Sequence, residues 1–429
     1  MPASNSFFSA LSAALPQIIQ RFGTPFHIYD EAGILDTGRQ LNTAFADLPD
    51  FREFYAVKAL PNLRILDILR RELGFGFDCS SLAELRMARM TGAGGSDIFF
   101  SSNNTSQEEY LAALDCGGAI LNLDDLSFVD KVPAFPDLIS FRFNPGTCEA
   151  ASSVIGTPQE AKFGLRTDQL VPAFLRARER GATRFGLHTM LLTNARDWQH
   201  MYGIVEMMLQ SAASVSQCLG APLEFVNIGG GIGIPYRPGE SDFDLDTFAA
   251  RTSAAFHEFK ARQGWWPRLY MECGRAITGP HGVMVAQVIN RMSKYREFVG
   301  VDASMSALMR PGMYPHAYNH ITVLNPDGRE KTGQRVTVDV VGSLCENNDK
   351  FAEQIDLPEP SEGDYLLFHD TGAHGHAMGF QYNGRLRPQE LLLHTSGEIE
   401  CIRRAETIDD YLATQTMPCT RRLVAACDG

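Results

Sequence analysis

The chain has 429 residues, of which 44% are hydrophobic, so it is long enough for two domains or for one large barrel with an extension. Its formal net charge of −13 disfavours nucleic acids and anionic membranes as partners, because an acidic surface repels polyanions. The nine cysteines include no C-x-x-C pair, which disfavours a metal site and a disulfide framework.

The N-terminal stretch MPASNSFFSALSAALPQIIQRFG has neither the charged start nor the long apolar core of a signal peptide. No window of the sequence reaches the run of about 18 apolar residues that a membrane-spanning helix needs. We therefore expect a cytoplasmic protein with reduced thiols. The next stretch, GTPFHIYD, is rich in strand-forming residues, and we predict that it pairs into a β domain formed by the end of the chain.

Short apolar runs that end in polar residues alternate with amphipathic stretches from about residue 52 to residue 275. Eight of these runs are predicted strands: FREFYAVKA, GFGFDCSS, SDIFFSS, GAILNLDD, LISFRFNP, TRFGLHT, LEFVNIGGG and RLYMECGR. Stretches such as NLRILDILRREL, SLAELRMARM and SQEEYLAAL are predicted helices, since apolar residues recur three and four apart after a polar residue that can cap the helix. The alternation indicates an α/β protein with a TIM-like (β/α)8 barrel, and an open doubly wound sheet is the alternative.

After about residue 280 the pattern changes to strand-like segments separated by turn residues, as in GVMVAQVINR, QRVTVDVVGS and DYLLFHD. This part of the chain is predicted to form a mostly β C-terminal domain. We divide the chain into an N-terminal segment that joins the β domain (1–40), a barrel (41–280) and the C-terminal β domain (281–429).

Polar residues stand at the ends of five predicted barrel strands, where enzymes of this architecture carry their active sites. They are Lys58, Asp78, His188, Gly229–Gly231 and Glu272. Each has a plain structural explanation when taken alone; a histidine at a strand end, for example, is commonly a buried core residue. Five of them at equivalent positions indicate one shared site.

Lys58 follows an apolar, strand-forming run. A lysine there is either a residue whose ammonium reaches water or a nucleophile whose pKa is lowered by burial. Burial would suit it for covalent chemistry with a carbonyl group.

The glycine run in NIGGGIGIP is either a dinucleotide-binding turn or a cradle for a single phosphate. Pro235 favours the second reading because it follows too soon for a long helix. A phosphate cradle, a nucleophilic Lys58, the flat ring of His188 and the carboxylate of Glu272 together describe a site for pyridoxal phosphate.

Ten segments, in their order along the chain, resemble the diaminopimelate and ornithine decarboxylase family, pyridoxal phosphate enzymes with the alanine-racemase-like fold. They are YAVKA, GFGFDCSSLAEL, FSSNNTS, KFGL, GLH, NIGGGIGIPY, ECGR, MRPGMYPHAYNHI, GSLCENND and DTGAHGHAMGFQYNGRLRP. The resemblance covers nearly the whole chain. It implies a divergent diaminopimelate decarboxylase, which would convert meso-2,6-diaminopimelate to L-lysine and CO₂.

By this resemblance, four residues would act on the cofactor ring. Lys58 would bind the cofactor covalently, His188 would stack on its ring, and Glu272 would pair with its nitrogen. Asp78 would orient the lysine or the ring substituents.

The resemblance also implies that Gly230, Gly231 and Arg275 bind the cofactor phosphate. Diaminopimelate decarboxylases commonly add a tyrosine in G-A-Y, where this chain reads GAH. Either His374 at that place or the nearby Tyr382 would then complete the phosphate site.

Cys345 and Glu346 in LCENND match a segment that reaches into the partner subunit's active site in this family. The cysteine would handle the proton that replaces CO₂, and the glutamate would contact the substrate. The match implies a homodimer with shared active sites, although a buried cysteine beside a surface acid would be the plain reading without it.

Arg310 and Tyr314 in RPGMY match residues that diaminopimelate decarboxylases use on the distal carboxylate of the substrate, together with Arg275. A planar guanidinium suits that task because it binds a carboxylate through two parallel hydrogen bonds. These residues favour a substrate with two carboxylates.

Four departures from the diaminopimelate pattern favour a different substrate: HTMLLTN for H-x-G-S-Q, ECGRA for E-P-G-R-S, GAH for G-A-Y and CEN for C-E-S. They place Ala276, His374 and Asn347 near the expected pocket. The alternative is therefore a decarboxylase of D-lysine, D-ornithine or a siderophore precursor. A non-catalytic relative of ornithine decarboxylase and an enzyme of the racemase branch are further alternatives, and the presence of Lys58 and Cys345 disfavours the former.

Overall fold

The computed structural model describes residues 4–146 and 158–416. The chain begins with helix α1 (Asn5–Phe22), strand β1 (Phe26–Asp30) and helix α2 (Glu31–Ala44). The buried face of α1 packs on β1 through apolar residues that include Leu11 and Leu15. None of the described helices combines the length and the apolar character needed to cross a membrane.

Eight parallel strands close into a barrel in the order in which they occur along the chain. They are β2 (Arg52–Ala56), β3 (Gly76–Cys79), β4 (Ile98–Phe100), β5 (Ile120–Leu123), β6 (Leu138–Arg142), β7 (Arg184–His188), β8 (Phe225–Asn227) and β9 (Arg268–Met271). The predicted (β/α)8 barrel is confirmed, with each of the eight predicted strands in place, and the alternative of an open sheet is excluded.

The helices of the barrel region are α3 (Leu63–Leu73), α4 (Leu82–Met90), α5 (Gln107–Asp115), α6 (Thr167–Glu179), α7 (Trp198–Leu219), α8 (Leu245–Gln263) and α9 (Arg275–Thr278). Short 3₁₀ turns lie at Val57–Ala59, Gly95–Asp97, Leu126–Phe128 and Gly279–His281. Helices α3, α4 and α5 begin after the polar residues that predicted them. The side chains of Asn62, Ser81 and Ser106 accept hydrogen bonds from backbone N–H groups in the first turns of these helices.

Aromatic residues fill the inside of the barrel. Phe54, Phe99, Phe225 and Tyr270 pack together there, and the rings of Phe225 and Tyr270 stack at 4.5 Å. A Cβ atom on Gly186 would lie 2.0 Å from the Phe225 ring, so the glycine at this position makes room for the aromatic core. This packed floor leaves the carboxyl ends of the strands as the open side of the barrel.

The rest of the chain forms a mostly β domain. Its elements are β10 (Gly282–Ser293), β11 (Glu297–Val301), α10 (Arg310–Met313), β12 (Ile321–Leu324), β13 (Arg335–Val341), β14 (Lys350–Pro358), β15 (Tyr365–Phe368), β16 (Gln389–Leu393), β17 (Ile399–Arg403) and α11 (Ile408–Leu412). Further 3₁₀ turns lie at His376–Met378 and Tyr382–Gly384.

Strand β1 lies in the middle of the sheet of this domain. The strand order is β14-β13-β11-β10-β1-β16-β17, with β15 also paired to β10, and β12 paired to β15. Phe26 of β1 is opposite Val285 of the antiparallel β10 and Gln389 of the parallel β16. The β domain therefore combines β1, from the start of the described chain, with strands β10 to β17, while the boundaries at residues 40 and 280 stay a prediction.

Candidate active site

A cavity of about 710 Å³ opens at the carboxyl ends of the barrel strands and is lined by both the barrel and the β domain. Eight residues singled out by the sequence line it: Lys58, Asp78, His188, Glu272, Arg275, Arg310, Tyr314 and His374. The structure therefore brings these widely separated residues into one place.

Lys58 lies in the 3₁₀ turn that follows β2, and its ammonium is paired with a buried carboxylate. The Nζ atom is 3.0 Å from Oδ2 of Asp78, at the end of β3. The Lys58 side chain is 53% exposed to the open cavity, and the charge of Asp78 raises its pKa against the partial desolvation of the amine. The reading in which burial lowers this pKa was wrong, because the charge of Asp78 outweighs the desolvation of the amine.

Asp78 is 1% exposed, and its Oδ1 atom has no hydrogen-bond partner among the described residues. Burial and the neighbouring Glu272 raise the pKa of Asp78 to about 7, although Lys58 acts in the opposite direction. A buried carboxylate with one free oxygen can accept a hydrogen bond from a ligand.

Glu272 follows β9 and is held by two neighbours. Its Oε1 accepts a hydrogen bond from Nδ2 of Asn227 at 2.8 Å, and the Nε2 atom of His188 lies 3.3 Å away. The other ring nitrogen of His188 is 3.0 Å from the amide nitrogen of Asn122. Burial acts to raise the pKa of Glu272, but His188, Lys58 and Asn227 together lower it, so the carboxylate stays ionised.

The glycine run lies beside the cavity, directly after β8. Gly229 and Gly231 have φ angles of 69° and 112°, which favour glycine. A Cβ atom on Gly230 would lie 2.4 Å from the backbone oxygen of Glu272. The N–H groups of Gly230 and Gly231 donate to no other group in the described parts of the chain, so they are available to an anion.

Two guanidinium groups flank one tyrosine ring on the wall nearest the β domain. Arg275, at the start of α9, donates to the hydroxyl of Tyr236. Arg310 lies 3.9 Å from the centre of the same ring and donates to the backbone oxygen of Tyr318 at 3.3 Å. Tyr314 follows at the end of α10 and also lines the cavity.

His374 has a φ angle of 57°, and its backbone N–H donates to the backbone oxygen of Ala59 at 2.9 Å. Burial, followed by the charges of Arg275 and Lys58, lowers the pKa of His374 well below its usual value. The imidazole is therefore neutral at pH 7 and can donate or accept a hydrogen bond.

Five of the predicted site residues do not line this cavity: Gly230 and Gly231, which lie beside it, and Cys345, Glu346 and Tyr382. Cys345 and Glu346 lie on an exposed loop, and Tyr382 is 50% exposed. The backbone N–H of Cys345 donates to the side chain of Asn383 at 2.7 Å, so the loop and the 3₁₀ turn of Tyr382 are neighbours. Cys345, Glu346 and Tyr382 therefore form a separate exposed group within one chain.

Several residues of the site were missed from the sequence. Tyr236 contacts Arg275 and Arg310 of the cavity wall, and its position directly after Pro235 in the quoted segment NIGGGIGIPY was the available signal. Arg142 ends β6 and also lines the cavity, and Asn122 reaches His188 from β5. Both end or lie in predicted strands, so the strand-end rule that found Asp78 could have found Arg142.

Comparison with known proteins identifies relatives across the whole chain. Residues 35–279 match the family described as "Pyridoxal-dependent decarboxylase, pyridoxal binding domain". The chain is 48% identical to Protein TabA of Pseudomonas amygdali pv. tabaci, with 96% of each chain covered.

Diaminopimelate decarboxylases are among the other relatives. The chain is 34% identical to the one from Methanothermobacter thermautotrophicus, with 94% of each chain covered. Its structure is similar to that of diaminopimelate decarboxylase from Helicobacter pylori complexed with L-lysine, with a TM-score of 0.84 and 29% identity over 93% of this chain and 98% of that one.

Proposed function

The chain belongs to the pyridoxal-dependent decarboxylases, with pyridoxal 5′-phosphate as its cofactor, and on that premise we propose that it decarboxylates an amino acid with a second, distal carboxylate. The first candidate substrate is meso-diaminopimelate, with L-lysine and CO₂ as products. The observation that carries this proposal is the Arg310 guanidinium held against Tyr236 on the cavity wall.

The residues present fit the cofactor. The free N–H groups of Gly230 and Gly231, with the guanidinium of Arg275, would hold its phosphate. The ionised Glu272 would hold a proton on the ring nitrogen, and His188 would stack on the ring. When bound, pyridoxal phosphate supplies an electron sink for the electron pair that remains when CO₂ departs.

Lys58 would hold the cofactor covalently through Nζ. The free oxygen of Asp78 would accept a hydrogen bond from a ring substituent, while its other oxygen orients Lys58 at 3.0 Å. The neutral imidazole of His374, or the hydroxyl of Tyr382, would add a hydrogen bond to the phosphate.

Arg310 would bind the distal carboxylate of the substrate. Among the described residues, its guanidinium donates only to the backbone oxygen of Tyr318, so further N–H groups stay available. The ring of Tyr236 supports its flat face, which leaves the edge to form paired hydrogen bonds. Tyr314 and Arg275 line the same wall and would contact the substrate as well.

We also propose a homodimer in which Cys345 and Glu346 of a second copy complete each active site. Cys345 would return a proton to the substrate carbon after CO₂ has left, and Glu346 would contact the substrate. Their exposure, and their absence from the lining of the cavity in the described parts of one chain, support this arrangement.

The alternative is a substrate with a free distal amine or another polar tail, such as D-lysine, D-ornithine or a siderophore precursor. The departures from the diaminopimelate pattern at Ala276, Asn347 and His374 support it, and His374 lines the cavity.

The deciding experiment is CO₂ release from the cofactor-loaded protein with meso-diaminopimelate, D-lysine, D-ornithine and their L-enantiomers as separate substrates. We expect the highest kcat/KM with meso-diaminopimelate. Preference for a D-amino acid with one carboxylate would contradict the proposed role of Arg310 and support the alternative.

A further inference from the structure

The turn that carries Lys58 receives hydrogen bonds from the β domain. The backbone oxygen of Ala59 accepts one from the backbone N–H of His374 at 2.9 Å. The backbone oxygen of Pro61 accepts another from Nη2 of Arg403, on β17, at 2.6 Å. Two carbonyl groups within three residues of Lys58 are thus bound by residues far away in the sequence.

A buried carboxylate connects these contacts. Glu390 of β16 is 1% exposed and accepts hydrogen bonds from Nδ2 of Asn62 at 3.0 Å and from the hydroxyl of Tyr29 at 2.6 Å. Arg403 pairs with the same carboxylate through Nε while its Nη2 reaches the Lys58 turn. Asn62 is also the residue that caps helix α3, so Glu390 fixes the point where the turn becomes a helix.

The Lys58 turn also packs against the segment of the barrel region that directly precedes α9. A Cβ atom on Gly274 would lie 2.6 Å from the Cβ of Ala59 and 3.3 Å from the Cβ of Ala56. Gly274 directly precedes Arg275 in the chain. The turn therefore lies between the β domain on one side and the loop that carries the proposed phosphate ligand on the other.

From these contacts we propose that Glu390 and Arg403 are positioning residues that set the approach of Lys58 to the cofactor aldehyde. They touch neither substrate nor cofactor. They fix the backbone at Pro61 and Asn62, which fixes the turn from which the Lys58 side chain extends. This inference rests on the proposed role of Lys58 in binding the cofactor covalently.

The test measures cofactor uptake and needs no substrate. Cofactor is removed from the protein, pyridoxal phosphate is added back, and the rate constant for its covalent capture is followed by the absorbance change and by borohydride trapping on Lys58. Arg403→Lys keeps the charge beside Glu390 but loses the planar fork that reaches both Glu390 and Pro61. We expect its capture rate constant to fall about 10-fold, because small misplacements of a reacting group are costly.

Glu390→Gln is the second variant, since it keeps the shape of the side chain and removes the charge that pairs with Arg403. The matched control is Asp339→Asn. Asp339 is a fully buried carboxylate on β13 of the same sheet, where it accepts hydrogen bonds from Gln354 and pairs with Arg296. We expect Asp339→Asn to lower thermal stability and leave the capture rate constant within about two-fold of the wild type, as expected for a site distant from the turn.

A wild-type rate constant for cofactor capture in Arg403→Lys would overturn the inference. The inference would also fail if Asp339→Asn lost as much stability as Arg403→Lys and captured the cofactor equally slowly. If Glu390→Gln does not fold, Arg403→Lys decides alone. Failure of borohydride to attach the cofactor to Lys58 in the wild-type protein would instead contradict the proposed function. The two failures are therefore distinguishable.

Discussion

The cavity at the barrel mouth and the exposed loop of Cys345 carry the two halves of the proposed chemistry, yet they are built differently. In the cavity, Lys58 is fixed by Asp78, and Glu272 is fixed by Asn227 and His188. Cys345 is exposed, and its loop is held from below by Asp349, which accepts hydrogen bonds from the N–H groups of Leu344 and Met305.

In the proposed dimer, this difference separates the part of the site that one chain builds from the part that its partner completes. Buried charges fixed by several partners make a preorganised binding site within one subunit. An exposed thiol on a well-anchored loop gains a defined environment only when another surface covers it. The following changes test this division, from the largest expected effect to the smallest.

Replacement of Lys58 removes the residue in the cavity that is proposed to bind the cofactor covalently. Lys58→Ala is expected to reduce CO₂ release at least about 10⁴-fold, because no other described residue can hold the cofactor at that place. The matched control is Lys294→Ala on an exposed hairpin, which is expected to retain wild-type turnover. Normal turnover by Lys58→Ala would refute the mechanism.

Replacement of Cys345 removes the proposed proton donor on the exposed loop. Cys345→Ala is expected to lower kcat about 10²-fold, as loss of a proton donor commonly does, whereas Cys401→Ala on the exposed β17 should have no effect. Products of the variant in deuterated water should also show misdirected proton addition.

Mixing the two inactive variants tests whether the halves come from different chains. Random association of Lys58→Ala and Cys345→Ala subunits gives half heterodimers, each with one intact site, so activity should recover to about one quarter of the wild type. No recovery, despite mixed dimers seen by mass spectrometry, would contradict a shared site.

Substitution of Arg310 tests whether the cavity binds a second, distal carboxylate of the substrate. Arg310→Lys is expected to lower kcat/KM for meso-diaminopimelate about 100-fold, since an ammonium cannot form the paired hydrogen bonds of a guanidinium. Arg329→Ala on an exposed turn is the control. An equal loss with D-lysine and with meso-diaminopimelate would mean that Arg310 does not recognise the distal group.

The smallest expected effect concerns the buried carboxylate of Asp370 and is a change in the free energy of unfolding with pH. Asp370 is 2% exposed, and neither of its carboxylate oxygens has a partner among the described residues. Burial raises its pKa to about 8, although Arg310 acts to lower it. Since the folded protein holds this proton more tightly than the unfolded chain, the stabilisation is fully present below about pH 4 and is lost as the pH rises through about 8.

Asp370→Asn mimics the protonated form and tolerates the φ angle of 56° at this residue. We expect it to be about 2 kcal/mol more stable than the wild type at pH 8 and nearly equal at pH 4, measured by chemical unfolding. A pH-independent difference would show that Asp370 does not titrate in this range.

The sequence predicts the barrel well because each unit of one strand and one helix has its own local sequence pattern. Apolar runs, capping residues such as Ser106 and strand-end residues such as Asp78 are visible within a few positions. The same local patterns predicted four residues of the cavity lining, Lys58, Asp78, His188 and Glu272.

The contacts that tune the site could not be predicted in the same way. The raised pKa of Lys58 depends on a 3.0 Å contact with Asp78, 20 positions away in the chain. The support of Arg310 by Tyr236, and the binding of the Lys58 turn by Arg403, join residues that only the closed fold brings together. Periodicity carries no information about such pairs.

The position of β1 has a consequence for the order of events during synthesis. Its place inside the sheet means that β1 leaves the ribosome long before its partner β16, which lies more than three hundred positions later in the chain. Until then one edge of β1 has no strand to pair with, and Glu390 and Arg403 are not yet made. The barrel strands can associate during translation, but the sheet beside them closes only after β16 and β17 have been made.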